Sequence, residues 1–249
     1  MLLQGKSAIV TGASSGIGEA LAEGFAAAGA RLVLADINEA AGRAVTARLV
    51  AGGAQAVFLP VNIVKEDQCA AMVALAEETY GGLDCAVNCA GLAHAPTPLH
   101  EIEEAVWRHV WEVDTLGTAF CLKHEIPALR RRGSGSIVNI ASGAGTHGAV
   151  NMGAYVAAKH AVVGLTRNAA LENAPHEIRV NAVCPGLILT ETANQVLPPG
   201  MSWEDLVTNP SNRNGAPSEV ANLCVWLASD MSTFITGETI AIDGGKYLG

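Results

Sequence analysis

Tyr155 and Lys159 stand four residues apart in Tyr155-Val156-Ala157-Ala158-Lys159, and Ser142 precedes them in Ile140-Ala141-Ser142-Gly143. On a helix this spacing places both long side chains on one face. A phenol that titrates near ~10 carries protons poorly at neutral pH, and a cation held beside it favours the phenolate. Such a pair moves protons at a carbonyl or an alcohol. The same spacing also occurs on solvated helix faces that do no chemistry, so the elements around it decide between the two readings.

Those elements alternate. Short β-rich runs at Ala8-Ile9-Val10, Leu32-Val33-Leu34, Ala56-Val57-Phe58-Leu59, Cys85-Ala86-Val87, Ser136 to Ile140, Arg179 to Val183 and Thr239 to Ile242 are separated by helical spacers. Several are apolar at consecutive positions, as strands buried on both faces must be. Ile17, Leu21, Phe25 and Ala28 mark the buried stripe of a first helix, and Gly29 is placed to end it. Further helices are expected around Trp107 to Leu129 and Ala154 to Leu171. The fold class is α/β, a doubly wound Rossmann arrangement with a seven-stranded parallel sheet and helices on both faces. The 249 residues form one domain, and residues 187–215, with Pro198-Pro199-Gly200 and a short helix near Trp203 to Leu206, read as a loop over the substrate.

A glycine-rich turn links the first strand to the first helix in Thr11-Gly12-Ala13-Ser14-Ser15-Gly16-Ile17-Gly18. Glycines there allow a tight turn and close backbone approach, so that a pyrophosphate meets the amides of a helix N-terminus. Asp36 closes the second strand, where a carboxylate accepts hydrogen bonds from the hydroxyls of an adenosine ribose and repels a 2′-phosphate. It also suits an N-cap ahead of the next helix. No Arg or Lys lies between Asp36 and Arg43, so NAD is expected in preference to NADP.

Composition excludes other classes. The net charge is −9, and the 15 basic residues are scattered except for Arg130-Arg131-Arg132, a poor footprint for nucleic acid. That run precedes Gly133 at a helix end, where cations complement the dipole. The six cysteines include no Cys-x-x-Cys and sit in apolar patterns, as reduced core residues do. No metal site is expected, because the seven histidines form no ligand cluster. The chain enters a strand soon after Met1 and has no long apolar stretch, so a cytoplasmic protein without a membrane span is expected.

The glycine spacing, the Tyr-x-x-x-Lys pair and the serine thirteen positions before the tyrosine together resemble the short-chain dehydrogenase/reductase family. The likeness runs nearly end to end. Asn88-Cys89-Ala90-Gly91 is similar to the family's Asn-Asn-Ala-Gly segment, Pro185-Gly186 with Thr190 to its nicotinamide-side motif, and Asp243-Gly244-Gly245 to its usual ending. The resemblance implies that Tyr155 exchanges a proton with the substrate oxygen, that Ser142 hydrogen-bonds that oxygen, and that Lys159 assists the tyrosine and binds the nicotinamide ribose. It also assigns cofactor contacts to Gly12, Ser14, Ser15, Gly16, Ile17, Gly18, Asp36, Ile37, Asn62, Ile63, Asn88, Ala90, Gly91, Pro185, Gly186, Ile188 and Thr190. Two positions depart from the pattern. Asn62 replaces an aspartate that receives the adenine amino group, and its amide oxygen can still accept. Asp114 stands where the family has the asparagine of its catalytic tetrad, an exchange expected to keep the proton relay but change its pH dependence.

By the same resemblance the substrate pocket is lined by 92–96, 144–152 and the loop after Pro185. Their apolar or small residues, without clustered Lys or Arg, suit a neutral secondary alcohol or ketone. His94, His147, Met152 and Leu187 are the candidate contacts beside Ser142, with Leu189 and Trp203 as further apolar ones. The helices at 107–129 and 154–171 resemble those that pair subunits in family tetramers, so a homotetramer is expected, with a dimer as the alternative. An NADP-linked carbonyl reductase and a non-catalytic nucleotide-sensing regulator on the same fold are the competing readings. The related epimerases and dehydratases are usually longer and space their glycines differently.

Overall fold

A computed structural model describes residues 1–190, 200, 202 and 204–247. Its centre is one parallel sheet of seven strands, β1 (Ser7–Thr11), β2 (Arg31–Asp36), β3 (Gln55–Pro60), β4 (Cys85–Asn88), β5 (Gly135–Ile140), β6 (Ile178–Pro185) and β7 (Thr239–Ile242), in the order β3-β2-β1-β4-β5-β6-β7. All seven expected strands are present. The strand order reverses between β1 and β4, which opens a crevice at their carboxyl ends.

The alternation of side chains across the strands builds two cores. Ala8, Val10, Leu32 and Leu34 face one side, where α1 (Gly16–Ala27) and α7 (Pro217–Ala228) cover them with Leu21, Phe25, Val220 and Cys224. Ile9, Val33 and Ala35 face the other, against Met72 and Val73 of α3 (Glu66–Tyr80) and Cys121 and Leu129 of α5 (Thr118–Arg132). Every residue of β1 and β4 is buried, which accounts for the unbroken apolar runs Ala8-Ile9-Val10 and Cys85-Ala86-Val87 within them. The remaining helices are α2 (Glu39–Ala51), α4 (Glu104–Val110) and α6 (Gly153–Asn173). All six cysteines are free thiols, and only Cys89 is not fully buried. Among the described residues no helix is long and apolar enough to cross a membrane.

One element differs from expectation. The stretch read as a single helix from Trp107 to Leu129 is α4 and α5 joined by a π-helical segment, Trp111–Gly117. The wider turn carries Asp114, which is completely buried. Beyond β6 the chain leaves the sheet, and the ends of the long loop are tied together by Gly215 N donating to Leu187 O at 2.9 Å and Leu189 N to Gly215 O at 3.1 Å. A 3₁₀ turn covers Glu204–Leu206, while Pro198, Pro199 and Trp203 lie outside the described residues.

Candidate active site

α6 brings Tyr155 and Lys159 to the crevice on one face, as their spacing requires. Lys159 Nζ lies 5.5 Å from the centre of the Tyr155 ring, 3.4 Å from Asp114 Oδ2 and 3.4 Å from the carbonyl oxygen of Ile140, two residues before Ser142. Lys159 is 5 % exposed and Asp114 0 %, so the pair meets without bulk water between its charges. Burial works against the ammonium, but Asp114 and Tyr155 outweigh it and hold the Lys159 pKa above the ordinary lysine value. Burial also raises the Asp114 pKa, opposed by the Lys159 cation and by Leu92 N, which donates to Asp114 Oδ1 at 2.8 Å. Gly91 is needed at this junction, since a Cβ there would lie 2.9 Å from both Asp114 Oδ1 and Lys159 Nζ.

Ser142 follows β5 and opens the 3₁₀ turn Gly143–Gly145, whose close fit to α6 is seen at Gly145: a Cβ there would lie 2.8 Å from Lys159 O. Ala144 N donates to Ser142 Oγ at 3.1 Å. The hydroxyl oxygen therefore acts as acceptor within the turn, and its own proton stays available to an oxygen in the crevice. Ser142, Tyr155, Lys159 and Asp114 thus gather at the carboxyl ends of β4 and β5, held by α6 and the π-helical segment.

The glycine loop fits a dinucleotide. Gly12 and Gly16 have φ of +68° and +56°, a conformation that strains residues with a side chain. A Cβ on Gly12 would lie 2.9 Å from the backbone of Ala90, and one on Gly18 would lie 1.8 Å from Gly12 O. Ser15 occupies the N-cap of α1 in extended conformation but makes no capping hydrogen bond, so its side chain leaves the first-turn amides to an anion. Asp36 fixes the edge of the loop: Ser14 N donates to its Oδ2 at 3.0 Å and Asn38 N to its Oδ1 at 2.8 Å. Thr11 Oγ1 accepts from Cys89 N and Ala90 N, tying β1 to the segment after β4. Thr190 reaches back over the loop, with its Cβ 3.2 Å from where a Gly16 Cβ would stand.

Other expected cofactor contacts are placed less directly. The side chain of Asn88 does not face the crevice: its Nδ2 donates to Glu125 Oε2 and Asn139 Oδ1, each at 3.0 Å, in the buried layer between β4, β5 and α5. Ile63 and Ile188 are also buried, against Gly117 and Gly215, so their backbones rather than their side chains are left for a ligand. Ile37 is exposed beside Asp36, Asn62 Oδ1 accepts from Val64 N at 3.2 Å, and Gly186 N donates to Ile242 O at 3.0 Å, with Pro185 as the last residue of β6.

Among the substrate candidates, Met152 pairs with Thr97 immediately before α6 and Leu187 sits at the root of the long loop. His94 is buried with Nδ1 2.8 Å from Ala95 O, which makes Nδ1 the donor and leaves Nε2 without a partner among the described residues. His147 Nδ1 lies 2.9 Å from Thr146 Oγ1, and its ring stacks on Tyr247 with centroids 4.2 Å apart and planes 10° from parallel. Two residues of this neighbourhood escape sequence reasoning. Tyr247 carries no signal beyond being an aromatic four positions after Asp243, and Glu125 is a charged residue inside an ordinary helix.

The chain is similar to known proteins over almost its whole length. Residues 12–246 match a family model described as Enoyl-(Acyl carrier protein) reductase. The chain is 43% identical over 246 residues to 2,5-dichloro-2,5-cyclohexadiene-1,4-diol dehydrogenase of Sphingobium indicum, covering 98% of this chain and 97% of that one. It is 41% identical over 238 residues to cis-4-hydroxycyclohexanecarboxylate dehydrogenase of Sinomonas cyclohexanicum, covering 96% and 95%. A short-chain type dehydrogenase/reductase from Mycobacterium ulcerans superposes with a TM-score of 0.94 at 32% identity, over 99% of this chain and 91% of that one.

Proposed function

The chain belongs to the short-chain dehydrogenase/reductase family, and on that premise we propose that it oxidises a neutral, ring-bearing secondary alcohol to the ketone with NAD. The observation that carries the reading is the buried Lys159–Asp114 pair beneath Tyr155, beside a serine whose hydroxyl proton is free to donate. Bound NAD supplies the acceptor for the hydride that leaves the carbinol carbon. Tyr155 takes the hydroxyl proton onto its phenolic oxygen, and Lys159 offsets negative charge there. Ser142 donates to the same oxygen and holds it in line. Asp114 keeps Lys159 charged.

The glycine loop and the start of α1 hold the pyrophosphate, and Asp36 receives the adenosine ribose hydroxyls. A 2′-phosphate placed against that carboxylate meets like charge, which supports NAD over NADP. Both relatives are named for alcohols on six-membered rings, which supports a cyclic substrate here. The lining segments 92–96 and 144–152 contain no Lys or Arg, which favours cyclohexanol or a cyclohexanediol over a ring bearing a carboxylate. A cytoplasmic setting suits six free thiols, and a homotetramer suits the apolar residues left exposed on two faces.

The test is NADH formation from NAD with cyclohexanol, cyclohexanediols and 4-hydroxycyclohexanecarboxylate. Turnover is expected with the neutral alcohols, and Tyr155→Phe is expected to lower kcat about 10²- to 10⁴-fold while NADH fluorescence still reports binding. Turnover that survives loss of the phenol hydroxyl rules the mechanism out.

A further inference from the structure

Residues 243–247 close on the turn that follows Ser142. After β7, the Asp243 carboxylate accepts from Gly245 N at 2.8 Å and Tyr247 N at 3.2 Å, folding 243–247 into a tight turn. Gly244 and Gly245, at φ of +65° and +86°, allow it. The turn lays the Tyr247 ring on Gly143, where a Cβ would fall 2.4 Å from Tyr247 Cε2. The same ring stacks on His147. Tyr247 thus touches both Gly143, within the turn after Ser142, and His147 just beyond it.

That turn provides the Ala144 amide that donates to Ser142 Oγ. If it loosens, the serine oxygen loses a fixed donor and its proton loses a preferred direction. The C-terminal segment also meets the two other loops of the site. A Cβ on Gly186 would lie 2.8 Å from Asp243 Cα, and Ser211 donates through N and Oγ to Gly244 O at 3.1 and 3.0 Å.

We propose that Tyr247, aimed by Asp243 and stacked on His147, is a positioning residue that holds the Gly143–Gly145 turn so that the Ser142 hydroxyl points at the reacting oxygen. The kinetic part of its test rests on the dehydrogenase reading above. In Tyr247→Ala, kcat is expected to fall about tenfold with NADH affinity unchanged, because alignment of one donor is lost while the nucleotide loop is intact. Amide exchange at 144–147, measured without substrate, is expected to quicken in the same variant. Tyr247→Phe keeps the ring and is expected to restore both. If Tyr247→Ala does not fold, His147→Ala removes one face of the stack and is expected to change kcat and exchange in the same directions by less. Unchanged kcat or unchanged exchange in the folded alanine variants overturns the proposal, as does failure of Tyr247→Phe to restore them. Absence of turnover in the parent protein counts instead against the dehydrogenase reading, and the exchange measurement then judges Tyr247 alone.

Discussion

Asp114 and Lys159 place opposite charges 3.4 Å apart where neither is solvated, so each controls the state of the other. An asparagine at 114 keeps the acceptor for Leu92 N, removes the charge and turns the oxygen that faces Lys159 into an NH2 donor. Burial then acts on Lys159 without its main counterweight, and the ammonium gives up its proton at lower pH. Asp114→Asn is therefore expected to move the alkaline limb of the kcat/KM profile to lower pH; superimposable profiles would show that Asp114 does not set the operating range. Asp36 governs a different choice. Its oxygens already hold Ser14 N and Asn38 N, so Asp36→Ala is expected to loosen the loop as well as remove the negative charge. Weaker NAD binding and a smaller preference over NADP should appear together in parallel titrations. An unchanged preference would put the selector elsewhere.

The elements that deliver these residues were legible to different degrees. The strands announced themselves because burial on both faces demands unbroken apolar runs, and the glycine loop because only glycine tolerates the backbone at Gly12 and Gly16. The π-helical segment at Trp111–Gly117 was not legible, since one widened turn leaves the apolar spacing of the flanking helices intact. The direction of the Asn88 side chain was not legible for a related reason: the residue shares a segment with others at the crevice, while its own side chain faces the opposite layer and meets Glu125. Tyr247 depends on a contact with His147, far away in the sequence, which no local pattern reports. Glu125 on α5 has a measurable consequence. Burial pushes its carboxyl from 4.5 up to about 7, only partly offset by the Asn88 amide. Because the folded protein then binds the proton more tightly than the unfolded chain, stability falls as pH rises from 4.5 through 7, by about 3 kcal/mol in all. Glu125→Gln keeps an acceptor for Asn88 and removes the titration. Its melting temperature is expected to exceed that of the parent at pH ~8 and to converge with it near pH ~5; a gap independent of pH would contradict the assignment.

At the scale of the whole molecule, the doubly wound sheet brings Ser142, Tyr155, Lys159, Asp114 and the glycine loop to one edge, while apolar side chains elsewhere on the surface stay exposed. Trp111 and Leu116 on the π-helical segment are 44% and 39% exposed, although the opposite side of that segment buries Asp114. A second apolar set lies elsewhere, with Leu171 at the end of α6 and Met231 and Phe234 in the connection to β7; Gly237 of that connection packs on Ala170. Two separate apolar faces on one subunit suit a tetramer in which each face meets its own copy about a different two-fold axis. The first face also backs the active site, so an assembly that covers Trp111 would stiffen the turn carrying Asp114. Trp111→Glu and Phe234→Glu should therefore differ in effect. Each is expected to reduce a tetramer to a dimer by light scattering, and the double variant to a monomer, because a buried charge without a partner is costly at either interface. Only Trp111→Glu is expected to lower kcat as well. A monomeric parent, or dimers that lose activity equally, would separate assembly from the setting of Asp114.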